Sequence, residues 1–438
     1  MKQQDSIGFD VTFMPDKLFP FQKSLVEFGT RKARAAIFAD CGLGKTPIQL
    51  AWAQNVVEKT NGRVIILTPV AVGPQTVREG EKFGIECARS RDGKFNGSKI
   101  IVTNYEQLHK FNPNDFAGMV ADESGILKNQ HGATRNEVVD FANQIKYRML
   151  CSATPSPNDY TELGNSVAAL GIMRMVEMLA KYFIHDSSDT GSWRLKGHAQ
   201  DPFWKFVASW ARAVRHPKDI GFDQVGYDLP PLKTELHLLK SKPLEGFLFP
   251  SEAVTLDEQR AERRDTINER CEKVASIANK TTDQFVAWCS LNEESALLTR
   301  YINGSVELSG SDSDEEKEEK VIGFASGHIR ALVTKPKICS HGVNWQGCNQ
   351  MSFFPSHSHE QFYQAVRRCW RFGQTKPVTV HIVTTEAESL VLDNLRRKER
   401  DADEMFSRIV ANMAAFYAND EKTYNPTIKQ IIPSWLKS

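Results

Sequence analysis

The chain has 438 residues, of which 41% are hydrophobic and 25% charged, with a formal net charge of +1. That length suits two or three folded domains at about 150 residues each. No run approaches the roughly 18 consecutive apolar residues of a membrane span, and the near-neutral charge confines any nucleic-acid surface to a local patch. Met1 to Asp5 offers no apolar signal core, and eight scattered cysteines contain no Cys-x-x-Cys pair. A cytoplasmic protein with reduced thiols and no membrane contact is therefore expected. His357 and His359 form a lone pair without a nearby third ligand, which is a poor metal motif.

In chain order, Ala35 to Ala39 predicts a short buried strand and Pro47 to Val57 a helix. Further strands are predicted at Val64–Leu67, Ile100–Thr103, Phe116–Ala121 and Tyr147–Cys151, at helix-sized separations. This rhythm implies βαβ units and a parallel sheet covered on both faces. From about Leu163 the pattern changes to a helical stretch with a Met-rich segment (Ile172–Phe183) and an aromatic, basic run (Phe203–Lys218). The mixture of Phe203, Trp204, Phe206 and Trp210 with Lys205, Arg212, Arg215 and Lys218 could grip a nucleic acid or simply form an amphipathic core helix. Leu229-Pro230-Pro231-Leu232 punctuates the chain. A second α/β series follows, with strands near Thr234–Leu239, Gln284–Cys289, Ile329–Thr334, Gln350–Phe354 and Val378–Val383, and a long charged helix from Leu256 to Lys280. The acidic run Asp312 to Lys320 reads as a helix start or a solvated face, in preference to a binding tail.

The strongest local signal is Ala39-Asp40-Cys41-Gly42-Leu43-Gly44-Lys45-Thr46, between the first strand and helix. Gly42 and Gly44 allow backbone N–H groups to converge on phosphates at a helix N-terminus. Lys45 supplies the counter-charge, and the Thr46 hydroxyl suits Mg²⁺. Asp122-Glu123 ends the Phe116–Ala121 strand, where sheet ligands bind. Asp122 is the expected Mg²⁺ partner and Glu123 the base for an attacking water. Gln22, about one helix upstream, carries an amide that can pair with the adenine edge, which favours ATP.

The sequence also resembles the superfamily 2 helicase-like ATPases, in particular the Swi/Snf branch of duplex-DNA translocases in its compact phage and bacterial form. The resemblance rests on Asp122-Glu123-Ser124-Gly125-Ile126-Leu127-Lys128-Asn129, on Ser152-Ala153-Thr154-Pro155, and on Gln364-Ala365-Val366-Arg367-Arg368-Cys369-Trp370-Arg371-Phe372-Gly373-Gln374. It departs from the family at Ser124-Gly125, Cys339-Ser340-His341 and Trp370.

What the resemblance implies is an α/β protein with two RecA-like lobes facing an ATP cleft. The lobes would span 1–165 and 228–400, with a helical insertion at 166–227 and a C-terminal helical tail at 401–438. It implies catalytic roles for Lys45, Asp122, Glu123 and two arginine fingers, Arg368 and Arg371, three residues apart on one helix face. It adds Gly342 and Asn344 to the nucleotide set. Thr68, Thr103, Thr334 and Lys335 would contact the nucleic-acid backbone, and Ser152, Thr154 and Gln364 would couple hydrolysis to lobe movement. The implied cofactors are ATP and Mg²⁺, the implied partner is double-stranded DNA, and a monomer is compatible with all of it. A strand-separating helicase on DNA or RNA is the alternative, followed by a binding protein that uses ATP only as a switch.

Overall fold

The computed structural model describes residues 8–70, 72–128, 132–153, 155–156, 159–185, 193–223, 226–240, 256–339, 344–355 and 359–420. The first sheet takes its strands, apart from the two-residue β3, from apolar runs buried on both faces: β1 (Arg34–Ala39), β2 (Arg63–Thr68), β3 (Ala88–Arg89), β4 (Ile100–Asn104), β5 (Phe116–Ala121) and β6 (Tyr147–Ser152). After a short antiparallel hairpin, β7 (Phe183–His185) with β8 (Trp193–Leu195), the chain returns as β9 (Ala211–Val214). The first sheet runs β3-β4-β2-β5-β6-β1-β9, and every pairing in it is parallel.

The second sheet contains β10 (Leu232–Leu239), β11 (Phe285–Trp288), β12 (Ser305–Leu308), β13 (Ala331–Thr334), β14 (Gln350–Phe353) and β15 (Val378–Thr385). Its order is β10-β15-β14-β11-β13-β12, again parallel throughout. Two parallel sheets flanked by helices give the α/β, two-lobed RecA-like architecture that the sequence implies. Among the described residues, no helix is long and apolar enough to cross a membrane.

The described residues of the segment 166–227 pack mainly against the first lobe. Its aromatics Phe203, Trp204, Phe206 and Trp210 are buried in that lobe's core, and β9 supplies the sheet's edge. The amphipathic-core reading of this run therefore holds for its aromatics. Arg212 lies over the Phe28 ring at 3.8 Å, and Arg215 donates to Ser407 Oγ at 2.8 Å and pairs with Asp403. The charged helix expected from Leu256 to Lys280 is two helices, Leu256–Asp265 and Ile267–Ala278, meeting at Thr266. At this junction Arg270, 1% exposed, pairs with Glu294 at 2.9 Å.

The last helix, Ser389–Asp420, has 32 residues and so extends about 48 Å. Near its start, Leu392 and Leu395 join the second lobe's core. Further along, Phe406, Ile409, Val410 and Met413 enter the core of the first lobe. Their i, i+3, i+4, i+7 spacing is one apolar helical stripe. Ile409→Ala is expected to lower stability by about 2–5 kcal/mol, since it empties a fully buried site. Arg408→Ala, on the exposed side, should change it by less than about 0.5 kcal/mol. Urea unfolding of the two variants checks this, and equal midpoints would remove the helix from the first lobe's core.

Candidate nucleotide site at the lobe interface

The phosphate-loop candidate connects β1 to the helix Lys45–Thr60 at the C-terminal end of the first sheet. Gly42 and Gly44 both adopt left-handed backbone, with φ of 89° and 77°. A Cβ on Gly44 would stand 2.2 Å from Gln22 Nε2, so a side chain there would strain the backbone and push the Gln22 amide from its hydrogen bonds. Lys45 Nζ donates to the Ala39 carbonyl at 3.0 Å, across the loop. Burial works to lower the Lys45 ammonium, but the groups around it, Cys41 first and then Glu123, Asp122 and Asp40, outweigh that and raise it. Lys45 is thus a firmly held cation at the mouth of the loop. Thr46 follows in the helix's first turn.

Asp122 and Glu123 come from the end of β5, beside β2. Asp122 N donates to Leu67 O (2.8 Å), Gln49 Nε2 donates to Asp122 Oδ1 (2.6 Å), and the Tyr105 hydroxyl donates to the Asp122 carbonyl (2.5 Å). Burial, together with the Glu123 charge, pushes Asp122 up to about 6. Glu123 itself sits at φ 52°, a left-handed conformation uncommon outside glycine and short polar residues.

These shifts predict a trade between stability and chemistry. Above about pH 6 the Asp122 carboxylate is charged in the fold at a cost, and that cost fades as the group takes up a proton between about 6 and 4. Asp122→Asn keeps an oxygen for Gln49 but no charge. It is expected to stabilise the nucleotide-free protein by on the order of 2–3 kcal/mol at pH 7.5, taking 1.36 kcal/mol per pKa unit. The gain should shrink below pH 6, and ATP turnover should vanish. Melting temperatures of the two proteins across pH 4–8 check the sign.

The second lobe reaches this loop directly. The helix His359–Cys369 carries Gln364, Arg367 and Arg368, and ends before Arg371. The expectation that Arg368 and Arg371 share a helix face is corrected here. Arg371 lies in the turn after the helix, where Gln374 N donates to Arg371 O and Gly373 takes a φ of 90°. The turn still aims at the loop: a Cβ on Gly42 would lie 3.6 Å from Arg371 Cβ and 3.0 Å from Phe372 N. Burial and the Arg368 charge push Arg371 down to about 10. Arg368 is 8% exposed, and its carbonyl accepts from Trp345 N at 2.9 Å, which places Asn344 beside it.

Sequence reasoning missed the contact that joins the lobes. Asp40 accepts from Cys41 N (2.6 Å) and from the Tyr363 hydroxyl, and its other oxygen pairs with Arg367 Nη2 at 2.9 Å. Both charges are buried, and the Arg367 guanidinium lies 4.5 Å from the Trp370 ring. Phe372 packs against Phe19 (6.0 Å) and Tyr227 (4.6 Å), extending the junction toward Gln22.

Other expected roles fall differently. Gln22 is buried with its Oε1 accepting from Phe19 N and its Nε2 donating to Leu43 O, both at 3.0 Å. In this conformation it braces the loop instead of facing a base. Thr68, Thr103 and Thr334 are at most 2% exposed. Thr68 Oγ1 donates to Thr103 O at 3.4 Å and Thr334 Oγ1 to Leu308 O at 2.9 Å. Such buried hydroxyls cannot touch a DNA backbone in this conformation, which corrects the expectation for these three residues. Lys335 is partly exposed and donates to Asn292 Oδ1. Ser152 is buried at the end of β6. Gly342 and Thr154 lie outside the described residues.

No family model matches the sequence, and no curated protein matches it. Among solved structures, the chain is similar to the Sulfolobus solfataricus SWI2/SNF2 ATPase core in complex with dsDNA. The two share 15% identity at a TM-score of 0.43, over 92% of this chain and 98% of that one. So loose a likeness carries no argument about function, which rests on the residues themselves.

Proposed function

We propose that the chain is an ATP-driven motor of helicase superfamily 2 that moves along double-stranded DNA. The observation that carries the ATPase reading is the junction itself: a phosphate-loop candidate on one lobe, with a cluster of buried arginines from the other lobe against it. The donor set fits ATP and Mg²⁺. Gly42 and Gly44 bring no side chains of their own to the loop, Lys45 is a raised cation, and Thr46 and Asp122 offer oxygens to a hard metal. Buried Gln49 Oε1 and Asn344 Oδ1 have no hydrogen-bond partner among the described residues, which suits a site made for a polar ligand.

Bound Mg²⁺ would neutralise charge on the β- and γ-phosphates. Lys45 and the loop amides hold the phosphates, and Glu123 accepts the proton of the attacking water. Arg371, from the second lobe, stabilises charge on the transferred phosphoryl group. Turnover then depends on the lobes being together, which ties hydrolysis to a mechanical step. The choice of duplex DNA is supported by the Leu127-Lys128-Asn129 and Arg371-Phe372-Gly373-Gln374 signatures.

ATPase rates with no nucleic acid, duplex DNA, single-stranded DNA and RNA, measured side by side, test this reading. Duplex DNA is expected to stimulate most, with little sequence dependence and a steep loss as salt rises. Best stimulation by single strands, with separation of a forked duplex, would establish a strand-separating helicase instead. Equal rates in all four conditions would leave an ATPase without a nucleic-acid track.

A further inference from the structure

The second sheet gathers three side chains of metal-ligating type on one face. Glu235 and His237 are two residues apart on β10, so they project to the same side of the strand. His381 on β15 is the register partner of Glu235. His237 Nε2 lies 3.1 Å from His381 Nδ1, Glu235 Oε2 lies 3.2 Å from His381 Nδ1, and Glu235 Oε2 lies 4.0 Å from His237 Nε2. Three ligands on a tetrahedral zinc, bonded at about 2.0–2.1 Å, stand roughly 3.3 Å apart. The two separations to His381 Nδ1 already have nearly that spacing, and the one between Glu235 and His237 is longer.

The surroundings orient them. Gln350, on the neighbouring β14, presents Oε1 to His381 Nε2 at 3.1 Å. With the ring proton of a neutral His381 on Nε2, this contact is a hydrogen bond and the Nδ1 lone pair faces the cluster. An acceptor nitrogen and a carboxylate oxygen then confront each other at 3.2 Å, an arrangement a cation between them resolves. The His381 ring is also fixed by stacking on Phe285, at 6.4 Å and 17°. His381 is buried and His237 half-buried, while Glu235 opens to solvent, so an ion has a route in and room for water as a fourth ligand. Lys273, on the helix Ile267–Ala278, is a positive charge that both histidines feel, and the Glu235 carboxylate opposes it.

We infer that Glu235, His237 and His381 form a binding site for a divalent transition-metal cation of the zinc class. The ion would tie β10, where the chain enters the second lobe, to β15, from which it leaves toward the last helix. The site is independent of the nucleotide junction and of its proposed chemistry.

The test uses the full chain, stripped with chelator and then dialysed against Zn²⁺ or Co²⁺. About one zinc per chain is expected by elemental analysis, and bound cobalt should show the intense visible bands of a low-coordinate nitrogen and oxygen site. Glu235→Gln and His237→Asn, both at positions open enough to tolerate the change, should each lower affinity at least tenfold while the circular dichroism spectrum stays unchanged. Gln350→Leu should weaken binding roughly 10–100-fold, as expected when a partner orienting a metal ligand is removed. Asp122→Asn should bind as the parent does, which separates this site from Mg²⁺ binding. Sub-stoichiometric zinc in the parent protein overturns the inference and leaves a hydrogen-bonded triad. Zinc retained undiminished by both Glu235→Gln and His237→Asn also overturns it, by placing the ion elsewhere.

Discussion

Lys45→Ala is expected to abolish ATP hydrolysis and weaken nucleotide binding, whereas Glu123→Gln keeps binding and slows turnover by about 10²–10⁴. The two outcomes differ because the residues act at different moments. Lys45 reaches across the loop to the Ala39 carbonyl, and its charge is held against burial by Cys41, Glu123, Asp122 and Asp40. Its removal deletes the counter-charge on which the triphosphate depends, in the ground state and the transition state alike. Glu123 holds a left-handed backbone just after the end of β5. An amide at that position preserves size and can still orient a water, but it cannot accept the proton. Binding of a fluorescent ATP analogue, read beside phosphate release, separates the two. Normal phosphate release by Glu123→Gln would remove it as the base.

The second large effect divides two neighbouring arginines. Arg371→Ala should lower turnover by about 10³ or more while leaving ATP binding nearly intact, as for an arginine that acts only on transition-state charge. Arg367→Ala should act on closure. Asp40 would be left as a buried carboxylate without its cation, and breaking one side of such a pair costs about 3–5 kcal/mol. Opening the junction lets water reach Asp40 and recovers part of that cost, so the nucleotide-free lobes should separate and small-angle scattering should report a larger radius. Arg367→Lys should restore part of the closure, since charge alone pairs with Asp40, although the stack on Trp370 is lost. If Arg371→Ala expands the molecule and Arg367→Ala leaves its size unchanged, the two roles are reversed.

Much of this was legible in the sequence where the signal is local. The runs that became β1, β2, β4, β5 and β6 are apolar enough to announce buried strands. The phosphate-loop candidate is contiguous, so glycine geometry, Lys45 and Thr46 can be read together. Short or mixed strands were not legible: β3 has two residues, and β9, Ala-Arg-Ala-Val, follows a helical aromatic run that masks it. Thr266 gave no sign of breaking the long charged helix. The Asp40–Arg367 pair joins residues 327 apart, and the Glu235, His237, His381 cluster joins two strands whose adjacency only the sheet order creates. Gln22 was read by its chemical capacity for a base. The fold uses that capacity on the loop, because a buried amide must satisfy its own polar atoms first.

The stripe Phe406, Ile409, Val410 and Met413 also sets a timetable for making the protein. The first lobe's final strand ends at Val214, yet the residues that finish its core arrive about 200 positions later. At roughly 5–20 residues per second, the ribosome leaves that apolar groove unfilled for about 10–40 s after the sheet is complete. During that interval the nascent chain presents a surface that fits an amphipathic helix, and other helices can compete for it. Chaperone demand should therefore peak in the middle of synthesis, and slower translation through the second half should lengthen that exposure.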